Sequence, residues 1–458
     1  MKKIVQKIAQ KIVQKKTPQA VDAIIHARWI IPVEPDETVY ENYSLVIQHG
    51  KILDILPDNH CPKKYTSQTV HHLDTHALIP GLINTHTHAS MSLMRGMADD
   101  LPLMEWLSEH IWPAEGKCVN YQFVKEGTDL AIAEMIRSGT TTFNDMYFFP
   151  DAAAKAADEA GIRASIGLIM IDFPSAWGKD SDDYLHKGLQ LHEQYRHHPL
   201  ISTAFAPHAP YTVSDGPLEK IKTYAEKLDI PIHIHLHETQ DEIDQAISNN
   251  GSRPIARLEK LGLLSPLLMA VHMTQLTDDE IKSIKRHGVN IVHCPESNLK
   301  LASGFCPVGK LFAKKINVAL GTDGAASNND LDMLSEMHTA ALLAKAVAGD
   351  ASVLPAHSAL QMATLNGAKA LGLDTITGSL TPGKAADITV IDLSHIESQP
   401  IYNPISQIVY SSSRDQVSDV WVQGKHLLNN RQLTTLDAEK ITQNAVKWGE
   451  KIFNEVEK

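Results

Sequence analysis

Residues 201–238 read ISTAFAPHAPYTVSDGPLEKIKTYAEKLDIPIHIHLHE, and the succession of patterns in that stretch decides the fold. ISTAFAPH is a short apolar run that ends in turn residues. PLEKIKTYAEKL repeats apolar residues at helical spacing, and PIHIHLH alternates as a strand does. Strand, helix and strand in immediate succession make a parallel βαβ unit.

The chain holds eight strand candidates: HALIPGLINTH, GTTTFND, RASIGLIMI, ISTAFAPH, PIHIHLH, LLMAVHM, VNIVHCPE and INVALGTD. Most are followed by a helical segment. Eight such units predict an α/β fold, a (β/α)8 TIM-like barrel of roughly 250 residues. The doubly wound alternative needs an open sheet and usually a glycine-rich nucleotide turn, and neither G-x-G-x-x-G nor a P-loop occurs. Short alternating runs flank this core: DAIIHARWIIPV and YSLVIQHGKILDILP near the start, GKAADITVIDL and VSDVWVQGKHLL near the end. They predict a small β-sandwich domain built from both ends of the chain. The expected division is an N-terminal amphipathic extension over 1–20, the composite β domain over 21–78 and 385–435, the barrel over 79–384 and a C-terminal helix over 436–458.

The 458 residues are 43% hydrophobic and 21% charged, ordinary values for a globular chain. A net charge of −12 repels phosphate backbones, so no nucleic-acid partner is expected. Cys61, Cys118, Cys294 and Cys306 form no C-x-x-C pair, which argues against disulfides and for a reducing cytoplasm. No stretch approaches a transmembrane span, so stable membrane association is not expected. In MKKIVQKIAQKIVQKK, the residues Ile4, Val5, Ile8, Ile12 and Val13 share one helical face. That segment lacks the apolar core of a signal peptide. A membrane-surface or subunit contact and a loosely packed extension remain open for it.

Chemistry concentrates at the predicted strand ends, where a barrel presents its active site. His86 and His88 are two apart on the first strand, so both imidazoles point to one side. His233, His235 and His237 share a face of the fifth strand, too many polar groups for an apolar interior unless something satisfies them. Asp323 follows V-A-L-G-T, where a buried carboxylate calls for a metal or another cation, or acts as a helix cap. His86, His88, His235 and Asp323 together could hold one divalent metal. Glu238 ends the fifth strand, where it either shuttles protons or caps the helix TQDEIDQAI. His272 ends the sixth strand. The fourth offers no lysine for a bridging carbamate, so one metal is expected rather than two.

In this order, PGLINTHTH, HLHE, the histidine of the sixth strand and GTDGAASNN resemble the amidohydrolase superfamily over nearly the whole chain. Within it, HASMSLMRGMADDLPLMEWLSEHIWPAE, NDMYFFP, FAPHAPYTVS and PESNLKLASG are similar to the methylthioadenosine/S-adenosylhomocysteine deaminases. The resemblance implies one metal, zinc before iron or manganese, on His86, His88, His235 and Asp323. It implies that Glu238 and Asp323 move protons and that His272 steadies the water and the developing oxyanion. Trp106 and Glu115 match positions that pack on the nucleoside and bind its ribose hydroxyls, while His208 and Ser327 match purine-side or pocket contacts. A small nucleoside substrate and a homo-oligomer are implied as well.

Some relatives carry arginines after the third strand that meet a homocysteine carboxylate. Here no arginine occurs between Arg163 and Arg196, and Lys179 is the cation that could stand in. This tilts the expectation toward 5′-methylthioadenosine, ahead of S-adenosylhomocysteine and adenosine. A guanine deaminase or triazine hydrolase would use the same ligands but has no ribose for Glu115. A non-catalytic scaffold would be expected to have lost ligands that are all present here. The H-x-E…P-C-x-x-C zinc deaminases are excluded by the absence of that signature.

Overall fold

A computed structural model of the chain describes residues 17–456, so most of the expected N-terminal extension lies outside the described residues. Eight parallel strands form the inner sheet: Leu82–Thr87, Thr140–Asp145, Arg163–Met170, Ile201–Pro207, Ile232–Leu236, Leu268–His272, Asn290–His293 and Val318–Leu320. Each pairs with the next in chain order. Helices such as Pro150–Ala160, Ser181–Tyr195 and Asp215–Leu228 connect them, as the 201–238 stretch predicts.

Between the last strand and the first, side chains close the ring. Thr85 Oγ1 donates to the Leu320 carbonyl at 2.6 Å, and Asn84 Nδ2 donates to Thr322 Oγ1 at 2.8 Å. Farther along the seam the Asp323 amide bonds to the His86 carbonyl at 3.0 Å. Eight strands enclose an interior that side chains can fill, so polar residues there need mutual partners.

The run HALIPGLINTH serves two sheets rather than one strand. Val70–Pro80 joins the outer sheet, and Leu82–Thr87 begins the barrel. Gly81 stands at the crossing, where a β-carbon would come within 2.0 Å of Thr141 Oγ1. Only glycine can pass so close to the second strand, and the hydropathy pattern alone does not register that change of sheet.

The outer sheet also has eight strands, ordered Gln432–Leu433, Lys425–Asn429, Val417–Val422, Ile388–Asp392, Val70–Pro80, Ala23–Ile30, Tyr40–Gln48 and Lys51–Pro57. The two ends of the chain therefore meet in one sheet. Its edge strand Lys51–Pro57 bridges back to Ala385, which requires the sheet to curl around a shared core including Ile25, Leu45, Ile52, Leu78, Ile388 and Trp421. A buried ion pair fastens this domain to the barrel, with Arg163 on the third strand 3.0 Å from Asp387. The helix Ala438–Val456 packs on Tyr121–Arg137, where Trp448 Nε1 donates to Glu126 and its ring meets Phe123 edge-on. Among the described residues no helix is long and apolar enough to cross a membrane.

Candidate active site

His86, His88, His235 and Asp323 converge at the C-terminal ends of the first, fifth and eighth strands, with ligand atoms all within 4.8 Å of one another. Asp323 Oδ1 lies 3.1 Å from His86 Nε2 and 3.2 Å from His88 Nε2, and the Nε2 atoms of His88 and His235 are 3.3 Å apart. Local sequence explains the aim. Period-2 alternation sends His86 and His88 the same way, and Asp323 turns inward through a left-handed φ of 64°.

The donor set fits a divalent metal. A carbonyl can only accept, so His88 Nδ1 donates to Met146 O at 2.6 Å and His235 Nδ1 donates to His208 O at 2.7 Å. The Nε2 atoms are left to face the cluster, as ligating imidazoles require. Burial pushes the His235 and His86 imidazoles below the usual range. Burial would raise Asp323, but the bonds from His86 and His88 hold its carboxyl well below that of an ordinary aspartate. Burial would also lower His88, which the Asp323 carboxylate instead lifts to about 9.

Beside it lie Glu238 and His272, with Oε2 and Nε2 3.8 Å apart. Burial, then the Asp323 charge, pushes the Glu238 carboxyl well above the usual range. Burial lowers His272 to about 3, so its imidazole is neutral. Asn298 Nδ2 is 3.0 Å from His272 Nδ1; donated there, it leaves the ring proton on Nε2, toward the cavity. Glu238 does not cap the next helix. Thr239 does, accepting from the Glu242 amide at 3.2 Å.

These groups floor a cavity of about 260 Å³. Trp106, Leu107 and Glu115 come from the segment after the first strand, where the chain widens by one residue and the Trp112 amide reaches back to Leu107 O. Tyr147 donates its hydroxyl to Glu115 at 2.6 Å. Burial lifts Glu115 to about 7. Ile169, Ile171, Phe173, Phe148 and Leu301 make an apolar wall. No lysine or arginine is among the described residues lining the cavity, Lys179 included.

His208 lines the cavity with its ring 4.9 Å from that of His235, and burial lowers it to about 3. Ser327 lines it too, but donates its hydroxyl to Asp323 Oδ2 at 2.8 Å. The three fifth-strand histidines do not share one environment. His233 Nε2 supports His86 Nδ1 at 2.8 Å, whereas His237 leaves the shared face through a left-handed φ of 54°. Sequence reasoning missed Ser297, which donates to Asp323 at 2.7 Å, and the supports Asn144, Tyr147 and Asn298. All four stand just past or at strand ends, in NDMY and PESN, the only signal that could have found them.

Residues 77–427 match the model of the amidohydrolase family. A 5-methylthioadenosine/S-adenosylhomocysteine deaminase of Saccharophagus degradans is 53% identical over 437 residues, 95% of this chain and 98% of that protein. The crystal structure of an adenosine deaminase from Xanthomonas campestris with bound zinc superimposes with a TM-score of 0.95 at 48% identity, covering 95% of this chain and 100% of the other. The zinc complex of an atrazine chlorohydrolase from Arthrobacter aurescens, 24% identical with a TM-score of 0.85 over 93% of this chain and 99% of that one, shares the fold.

Proposed function

Because this chain belongs to the amidohydrolase family, we propose that it is a metal-dependent deaminase of 6-aminopurine nucleosides, acting on 5′-methylthioadenosine before S-adenosylhomocysteine or adenosine. The observation that carries the reading is a cavity whose lining combines His88, His235 and Asp323 of the His/Asp cluster with Glu238, His272 and the Glu115 carboxyl. The zinc bound by the 48%-identical adenosine deaminase and the deaminase names of the relatives support it.

His86, His88, His235 and Asp323 would hold one divalent metal, zinc first. Bound there, the metal supplies the Lewis acidity that makes hydroxide available from water near pH ~7. Glu238 accepts a proton released by the water and delivers it to ring N1 beside the attacked carbon, removing the negative charge the purine would otherwise gain. His272 donates from Nε2 to the oxygen arriving at C6. Asp323 passes the remaining hydroxyl proton to the departing amine, and the products are ammonia and the inosine analogue. Glu115 accepts the ribose hydroxyls, Trp106 packs on the nucleoside and His208 faces the purine.

An uncharged 5′ group suits the apolar wall, whereas a homocysteine carboxylate would meet no cation among the lining residues. The four cysteines are buried free thiols, which supports a reducing, cytoplasmic setting.

A spectrophotometric assay of the metal-analysed protein on methylthioadenosine, S-adenosylhomocysteine, adenosine and guanine tests the proposal. Preferred turnover of methylthioadenosine with one metal per chain is expected. Turnover of guanine alone would remove Glu115 and Trp106 from the pocket assignment.

A further inference from the structure

Two buried ionisable side chains flank Glu238 and take no part in the chemistry above. His237 is fully buried, and Glu242 is 9% exposed. The fifth strand stops at Leu236, and the chain then enters a left-handed conformation at His237, costly for a residue with a β-carbon. Both oxygens of the Glu242 carboxylate hold that turn. Oε1 accepts from the His237 amide at 3.1 Å, and Oε2 accepts from the Glu238 amide at 2.7 Å.

Glu242 is the third residue of the helix Gln240–Asn250, capped by Thr239. In an ordinary capping box the glutamate returns to the amide of the cap residue itself. Here it reaches past the cap, to the two residues before it. The His237 ring ties the other side. Its Nδ1 donates to Gln275 O and its Nε2 accepts from the Ile255 amide, both at 3.1 Å. Two backbone partners of opposite kind require a single neutral tautomer. Thr274 Oγ1 donates to the Glu238 carbonyl at 2.6 Å. The backbone of Glu238 is thus anchored at both its N–H and its C=O, whereas its carboxyl meets Ser303 at a long 3.5 Å.

We propose that Glu242 and His237 are positioning residues, a clasp on the strand-to-helix turn that sets where the Glu238 carboxyl stands. The Glu238 carboxyl has few partners of its own, so its aim is inherited from its backbone. A proton donor displaced by about 1 Å can lose some 10²-fold in rate. The inference rests on the deaminase reading of Glu238.

The test compares Glu242→Ala, Glu242→Gln and Glu242→Ala combined with Glu238→Gln in the metal-loaded protein. Glu242→Ala should keep its metal and its KM while kcat falls by about 10²-fold. Glu242→Gln, with one accepting oxygen, should recover part of the loss, and it carries the comparison if the alanine variant does not fold. In the Glu238→Gln background the second substitution should cost nothing further, because both act on one proton transfer. Hydrogen exchange gives a readout independent of turnover: the His237 and Glu238 amides should exchange faster in Glu242→Ala. Equal losses in both backgrounds, or unchanged exchange at the two amides, would overturn the clasp. A wild-type protein that deaminates no 6-aminopurine nucleoside would sink the deaminase reading instead, while exchange still decides the clasp.

Discussion

Replacing Gly321 by alanine should weaken metal binding without touching any ligand atom. Gly321 opens the turn after the eighth strand and lies against the first. A β-carbon there would stand 2.7 Å from both the Cβ and the backbone nitrogen of His86. Ordinary contact begins at 3.4 Å, so the two strands must part by 3.4 − 2.7, about 0.7 Å, at a proposed ligand. The obstacle is backbone, not the end of a flexible chain. Gly321 is not among the glycines with positive φ, so alanine accepts its conformation and the effect is steric. Metal–ligand distances tolerate only about 0.2 Å. Overpacking of this kind costs about 1–3 kcal/mol. Carried by the metal-loaded state, that is roughly 5- to 150-fold in affinity. Competition with a chromophoric chelator measures it, and turnover at saturating metal reports how much of the site recovers. Gly324→Ala, whose β-carbon would lie 3.1 Å from His88 Cβ, should show a smaller loss. Gly216→Ala, with nothing within 4 Å, should show none. Wild-type metal affinity in Gly321→Ala, or the same loss in Gly216→Ala, would refute the reasoning.

Glu238→Gln should retain metal and lose about 10²–10⁴-fold in kcat; unimpaired turnover in a metal-loaded variant would remove it from the proton path. Glu115 changes charge near 7 because it is buried, so KM should fall as pH rises through that value and the carboxylate becomes available to the ribose hydroxyls. A KM that ignores pH, or is unaltered in Glu115→Gln, would count against that contact. Tyr147→Phe deletes the 2.6 Å bond that helps Glu115 ionise, and should move the KM inflection to higher pH; a shift in the other direction contradicts the arrangement. Arg163→Ala strands the buried Asp387 carboxylate between barrel and sheet, a loss of roughly 3–5 kcal/mol by denaturant titration, and a loss under ~1 kcal/mol would show the pair to be solvated.

The alternation of apolar strands with helical segments carried the barrel, because burying strand faces and helix stripes is a local, periodic requirement that leaves its mark residue by residue. The same periodicity made His86 and His88 a pair on one side, and the strand-end positions of His235, Glu238, His272 and Asp323 followed from the same counting. Periodicity stops where the backbone leaves the strand. At Gly81 the chain changes sheets inside one apolar run, and at His237 a left-handed residue turns the third histidine away from its neighbours. Both depend on what another strand or helix presents: the Thr141 side chain at Gly81, the Glu242 carboxylate at His237. Partnerships across the ring were equally hidden. Ser297 meets Asp323, Tyr147 meets Glu115 and Asn298 meets His272, each from a different strand-to-helix segment. The sequence by itself determined which residues could reach the mouth of the barrel, since a strand's side-chain alternation is built into its backbone. Which of them support one another was settled by the fold, because a buried polar atom left unpaired costs free energy and the closed ring sets which partners come within hydrogen-bond reach.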